Sequence, residues 1–174
     1  MNRKGSLLFF IVFSLLISLI VINIDFNATS DNNVVEEETI YTSKEELVYN
    51  SEDQISIVLK QTNEYRKLEN KKALVLDENL SKVANDRAKE ISTQFSHERE
   101  DGTYFFKLLD KYNIKVNVSG ENIAKGYNDG YEVCEGFKAS KGHYANMVKD
   151  RYTKIGIGMY ESNGIIYWVQ IFSD

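Results

Sequence analysis

Only two histidines occur in the chain of 174 residues, His97 and His143, and each stands where a structured element begins or ends. His97 closes Phe95-Ser96-His97 after an amphipathic run, and Asp101-Gly102 then turns the chain sharply. His143 lies in Ser140-Lys141-Gly142-His143-Tyr144-Ala145-Asn146, and between the two comes Gly120-Glu121-Asn122-Ile123-Ala124, a strand exit carrying a carboxylate. Two neutral imidazoles and one carboxylate suffice to hold a divalent cation with an open position, zinc ahead of magnesium or calcium. Such a centre activates water for hydrolysis. The same trio also makes a self-satisfied network in which Glu121 accepts a ring proton and orients one imidazole. Both readings require three distant stretches to converge.

Other reactive groups are weaker candidates. Ser140 with His143 and Glu121 has the composition of a serine-nucleophile triad, but nothing supplies the strained turn that exposes such a nucleophile. Cys134 shares a helical face with Phe137 and reads as a small buried apolar residue. As the single cysteine it forms no intrachain disulfide.

The elements that must position these residues are legible from periodicity. Ser51 with Gln54 reads as a capping box, and Ile55, Val58, Leu59, Thr62 and Tyr65 predict a first helix running to about Leu68. Asp77 caps a second, whose inner face is Leu80, Val83, Ala84, Arg87, Ala88, Ile91 and Phe95 and which ends just before His97. A short helix fits residues 103–112, after which Ile114, Val116 and Val118 alternate as a strand. Another helix fits residues 129–139, and a turn of helix follows His143. Ile155, Ile157 and Met159 alternate, Ser162-Asn163-Gly164 turns the chain, and residues 165–172 return as an apolar strand. The fold class is therefore α+β, with helices on a small, mainly antiparallel sheet.

Composition narrows the partners. Hydrophobic residues at 43% against 27% charged indicate a globular chain, and a net charge of -5 gives no footing on nucleic acid phosphates. Residues 7–22 are apolar apart from Ser14 and Ser18, with Arg3 and Lys4 before them and Asp25 after. No clear small-residue cleavage site follows, so residues 7–24 are expected to form an uncleaved anchor, or a signal peptide if cleaved. Residues 1–6 then stay inside, and everything beyond the anchor faces outward, membrane-held or secreted. Residues 25–50, with Glu36, Glu37 and Glu38, read as an acidic stalk before an outer domain at residues 51–174.

Four motifs in order resemble the CAP superfamily of cysteine-rich secretory, antigen 5 and pathogenesis-related 1 proteins, in its short bacterial form without disulfides. They are Phe95-Ser96-His97 with Asp101-Gly102, Gly120-Glu121-Asn122-Ile123-Ala124, Gly142-His143-Tyr144-Ala145-Asn146-Met147, and Ile155-Gly156-Ile157-Gly158 with Tyr167-Trp168-Val169-Gln170. The resemblance implies a three-layer α-β-α sandwich with a cleft holding two histidines and two acids. His97, Glu121 and His143 map onto that tetrad. The second acid, three residues after an aromatic, is replaced: the aromatic is Phe137 and the position is Ser140, while Glu132 and Glu135 fall on other helical offsets. Asn122 and Gln170 are placed along the cleft by the same resemblance, while a buried amide that satisfies backbone groups explains them equally well. The expectation is a binding module at the cell envelope for a lipid, peptide or wall fragment. The competing one is a metal-assisted hydrolase of peptide or wall substrates, which the missing acid weakens.

Overall fold

The computed structural model describes residues 50–174; the expected anchor and nearly all of the expected stalk lie outside the described residues. Among the described residues no helix is long and apolar enough to cross a membrane.

Helix α1, Ser51–Leu68, starts from Asn50, whose side chain accepts from the Glu52 amide. The expected capping box does not form. Gln54 is buried, and its Oε1 accepts from the Gly130 amide at 2.8 Å, tying the start of α1 to the start of a later helix. After strand β1, Val75–Leu76, helix α2, Glu78–Thr93, is capped as expected: Asp77 accepts from the Asn79 and Leu80 amides. Helix α3, Phe106–Lys111, is shorter than the expected span. Strand β2, Ser119–Lys125, begins only where the alternation of Ile114, Val116 and Val118 ends. Those three residues run past the end of the sheet, where the Asp174 carboxylate, not a neighbouring strand, accepts from the Asn117 and Val118 amides.

Helix α4, Gly130–Ala139, is capped by Asp129, and α5, Lys141–Met147, carries His143. Strands β3, Lys154–Ser162, and β4, Ile165–Ser173, make the expected hairpin. Its turn residues Asn163 and Gly164 have φ of 52° and 73°, the positive values that a type I′ turn requires.

The sheet order is β1-β3-β4-β2, antiparallel except where β1 lies beside β3. Alternation along β4 builds a core on each face. Tyr167, Val169 and Ile171 pack with Leu80, Val83 and Ile91 of α2 and Leu108 and Leu109 of α3. Trp168 and Phe172 pack with Val58 of α1, Phe137 of α4 and Met147 of α5. The result is a three-layer α-β-α sandwich. Helix α2 sits so close to β3 that a Cβ at Gly156 or Gly158 would strike the backbone of Leu80 or Ala84. At the far end of α1, buried Arg66 donates to the carbonyls of Lys72, Met147, Lys149 and Tyr152 and pins the chain that leaves α5.

Candidate functional site

Strand β2 is an outer strand of the sheet, and its register dictates where its groups point. Glu121 and Ile123 face the α2 layer, while Asn122 and Ala124 face the layer of α1, α4 and α5. The loop after α2 brings His97 back to Glu121, and α5 presents His143 from the opposite layer. One imidazole therefore approaches β2 from each side of its edge.

Glu121 is buried and committed at both oxygens. Its Oε1 accepts from Arg87 Nε at 2.8 Å, and its Oε2 lies 2.7 Å from His97 Nδ1. Arg87 also donates to Glu90 Oε2 at 2.8 Å and to the Ser96 carbonyl at 2.9 Å. Glu90 is gripped in turn by Arg99, which reaches Asp101 and Thr103 as well. This chain of charges holds the loop that carries His97 at several points. Burial alone would raise the Glu90 carboxyl, but hydrogen bonds from Arg99 and Arg87 outweigh it and hold the group below the usual carboxylate range. A carboxylate paired with a buried guanidinium acts as an orienting group. With His97 Nδ1 donating to it, Nε2 is the ring edge left for a ligand.

The His143 ring is half-buried and edge-on to Phe137, with ring centroids 5.2 Å apart. Burial, and after it the nearby His97, lower its proton affinity and favour the neutral ring. Behind it runs a chain of amides. Asn122 Nδ2 donates to the His143 carbonyl at 3.0 Å and to Gln170 Oε1 at 2.9 Å, and Gln170 continues to Thr62 of α1 at 3.0 Å. Asn122 and Gln170 are buried, at 0% and 1% exposure. They face the interior side of the sheet, where they satisfy one another and brace α5 from behind.

A cavity of about 310 Å³ opens on the His143 side, with Phe95, Lys125, Phe137 and Ser140 among its walls and, among the described residues, no carboxylate in its lining; His97 stands outside it. A larger hollow of about 500 Å³ lies by β3, between α1 and α2, and contains none of the site residues. Ser140 ends α4 and leads into α5 at the cavity wall. Glu132 and Glu135 do not replace the missing acid, because Glu132 accepts from Asn128 and Glu135 from the Tyr65 hydroxyl.

The donor set does not fit a three-ligand zinc centre. Glu121 spends its oxygens on Arg87 and His97, and among the described residues no three His, Cys, Asp or Glu side chains are grouped to hold an ion. Cys134 is buried against Val58 with its thiol pushed up to about 12 by burial, so it is no nucleophile. Two residues of the site had no functional reading in the sequence. Arg87 was visible only as a charge on an otherwise apolar helix face, a placement that demands a buried partner. Lys125, whose Nζ lies 4.8 Å from the Phe95 ring centroid, gave no local signal.

Known proteins share this architecture. The family model described as CAP, the cysteine-rich secretory protein family, matches residues 59–172. The chain is 33% identical over 117 residues to the uncharacterized protein YkwD of Bacillus subtilis (strain 168), covering 66% of this chain and 45% of that one. An extracellular protein containing a SCP domain from Bacillus anthracis str. Ames superposes with a TM-score of 0.65 at 25% identity, over 70% of this chain and 40% of that one. An outer surface protein from Borrelia burgdorferi gives 0.66 at 23% identity, over 72% of this chain and 95% of that one. The chain thus spans less than half the length of the two Bacillus proteins. Since the family match runs from within α1 to the end of β4 and takes in every element of the sandwich, the chain belongs to the CAP family of cysteine-rich secretory proteins.

Proposed function

We propose that this chain is an extracytoplasmic binding module whose cleft at the edge of β2 takes a ligand or partner at the cell envelope without hydrolysing it. The observation that carries this reading is the engagement of Glu121 by Arg87 and His97. With Ser140 where the family's second acid stands, the cleft offers imidazole and hydroxyl edges and, among the described residues, no unpaired carboxylate to act as general base. The placement outside the membrane rests on Arg3 and Lys4 preceding the apolar residues 7–22. It agrees with relatives described as an extracellular protein and an outer surface protein. The competing reading, a metal-assisted hydrolase, draws on His97 Nε2 and the His143 ring nitrogens, which among the described residues accept or donate no side-chain hydrogen bond.

The test incubates purified full-length protein, in micelles, with a mixed peptide library and with isolated wall material, supplying zinc, magnesium or calcium in turn. The binding reading expects no turnover. In a parallel thermal-shift panel of lipids, peptides and wall fragments, one class raises the melting temperature by mass action. Turnover that disappears in both His97→Ala and His143→Ala, with the fold intact, contradicts the proposal.

A further inference from the structure

The register of β2 leaves an unused strand edge inside the cleft. In an antiparallel pair each residue directs its N–H and its C=O to the same side, alternately toward and away from the neighbouring strand. Four contacts fix the phase here. The Asp174 amide donates to the Val118 carbonyl and the Gly126 amide to the Ile166 carbonyl, so Gly120, Asn122 and Ala124 address β4. The Glu121 carbonyl accepts instead from Asn146 Nδ2 at 3.2 Å, and the Ser119 carbonyl from the Tyr152 hydroxyl at 3.0 Å, both away from β4. Ile123 and Lys125 share that outward phase, and among the described residues their N–H and C=O groups meet no partner. Both residues line the cavity of about 310 Å³.

The same cavity is electrostatically one-sided. Among the described residues its lining contains no Asp or Glu, and the nearest buried acid, Glu121, is paired with Arg87. Lys125 is exposed and has no acidic partner within ion-pair reach among the described residues; its ammonium rests over the Phe95 ring. Phe95 and Phe137 supply apolar walls.

From the free edge and the unbalanced lysine we infer that the ligand of the cleft is an extended peptide with acidic side chains, added to β2 as a further strand. Its backbone pairs with Ile123 and Lys125, an acidic group meets the Lys125 ammonium, and an apolar side chain enters between Phe95 and Phe137. Main-chain pairing supplies affinity and the cavity selects alternate side chains, while the charge sets preference among peptides. The inference rests on the binding reading above and narrows its ligand to one class. A lysine on an edge strand also repels foreign strands, which defines the opposing outcome.

The probe is a blocked, fluorescein-tagged hexapeptide of alternating valine and glutamate, titrated into full-length ¹⁵N-labelled protein in micelles. Anisotropy reads affinity and amide hydrogen exchange reads position. The expected result is saturable binding with slowed exchange at the Ile123 and Lys125 amides. Binding weakens about tenfold in Lys125→Glu and less in Lys125→Gln, both checked for unchanged melting temperature. It is lost when alternate amides of the probe are N-methylated. Equal binding of a valine–lysine peptide, undiminished binding of the N-methylated probe, or no binding of the acidic probe each overturns the inference. In the last case a response to lipid or wall fragments in the thermal-shift panel leaves the broader binding reading standing, whereas histidine-dependent turnover removes both.

Discussion

Two guanidiniums are buried in this domain, Arg66 at 0% and Arg87 at 1% exposure, and they are satisfied in opposite ways. Among the described residues Arg66 addresses only main-chain carbonyls, those of Lys72, Met147, Lys149 and Tyr152. Arg87 addresses the carboxylates of Glu121 and Glu90 and one carbonyl, that of Ser96. Carbonyl dipoles can solvate a cation without cancelling its charge, so the Arg66 end is a staple for loops that no strand or helix holds. Carboxylates cancel it, so at the Arg87 end the cation also decides what Glu121 is free to do. The type of partner, more than the depth of burial, separates a residue that holds the chain from one that sets the chemistry of the cleft.

The largest effect that can break this contrast comes from Arg87→Met. It strands Glu121 in the interior and should cost about 3–5 kcal/mol in urea unfolding. Adding Glu121→Gln should recover part of that loss, because the stranded charge is then gone. A single variant costing less than about 1 kcal/mol, or a double variant no better than the single, removes the silencing role assigned to Arg87.

Arg66→Met should cost somewhat less, about 2–4 kcal/mol, since the freed carbonyls are neutral and water can reach some of them. No neutralising second substitution exists on this side, so changing the nearby acid in Asp150→Asn should give no rescue. Hydrogen exchange should quicken in residues 147–152 while the loop bearing His97 keeps its protection. Equal loosening of both regions would mean that the two arginines act as one network.

The smallest effect is a difference in pH dependence. Hydrogen bonds from Arg99 and Arg87 hold the native Glu90 carboxyl below its ordinary value of 4.5. The unfolded chain therefore takes up the proton first. The stabilisation is complete above that ordinary value and is lost as pH falls through the lower native one. Glu90→Gln should flatten the acid limb of the stability curve, whereas Arg66→Met should shift the whole curve and leave that slope intact. Denaturant melts between about pH 2 and 6 read both outcomes.

What the sequence revealed divides along the same line between local and distant partners. Asp77 and Asp129 cap helices within three residues of themselves, and Asn163-Gly164 turns the hairpin within its own loop, so each could be read directly. Gln54 has the spacing of a capping box, yet its partner is the Gly130 amide, 76 positions away. Ile114 and Val116 pack on the core beneath α2 and Val118 on the opposite one, and β4 ends at Ser173, opposite Ser119, so none of the three falls within the paired strand. The ordered motifs singled out His97, Glu121 and His143, and Glu121 does meet His97. The use of that carboxylate depends on Arg87, 34 positions before it, and no local pattern joins the two. Asn122 and Gln170 show the same limit: as neighbours across β2 and β4 they face the interior, a consequence of strand register that motif position does not display.

The central claim, that Glu121 orients His97 and is not available to a ligand or a reaction, is tested most directly by the proton position on the His97 ring. Long-range ¹H–¹⁵N correlation of the ¹⁵N-labelled full-length protein at about pH 8, where imidazole is ordinarily neutral, distinguishes the two tautomers. The account predicts the proton on Nδ1 and a bare Nε2. A ring protonated on Nε2 with Nδ1 bare would contradict it, because Glu121 Oε2 would then have no ring proton to accept.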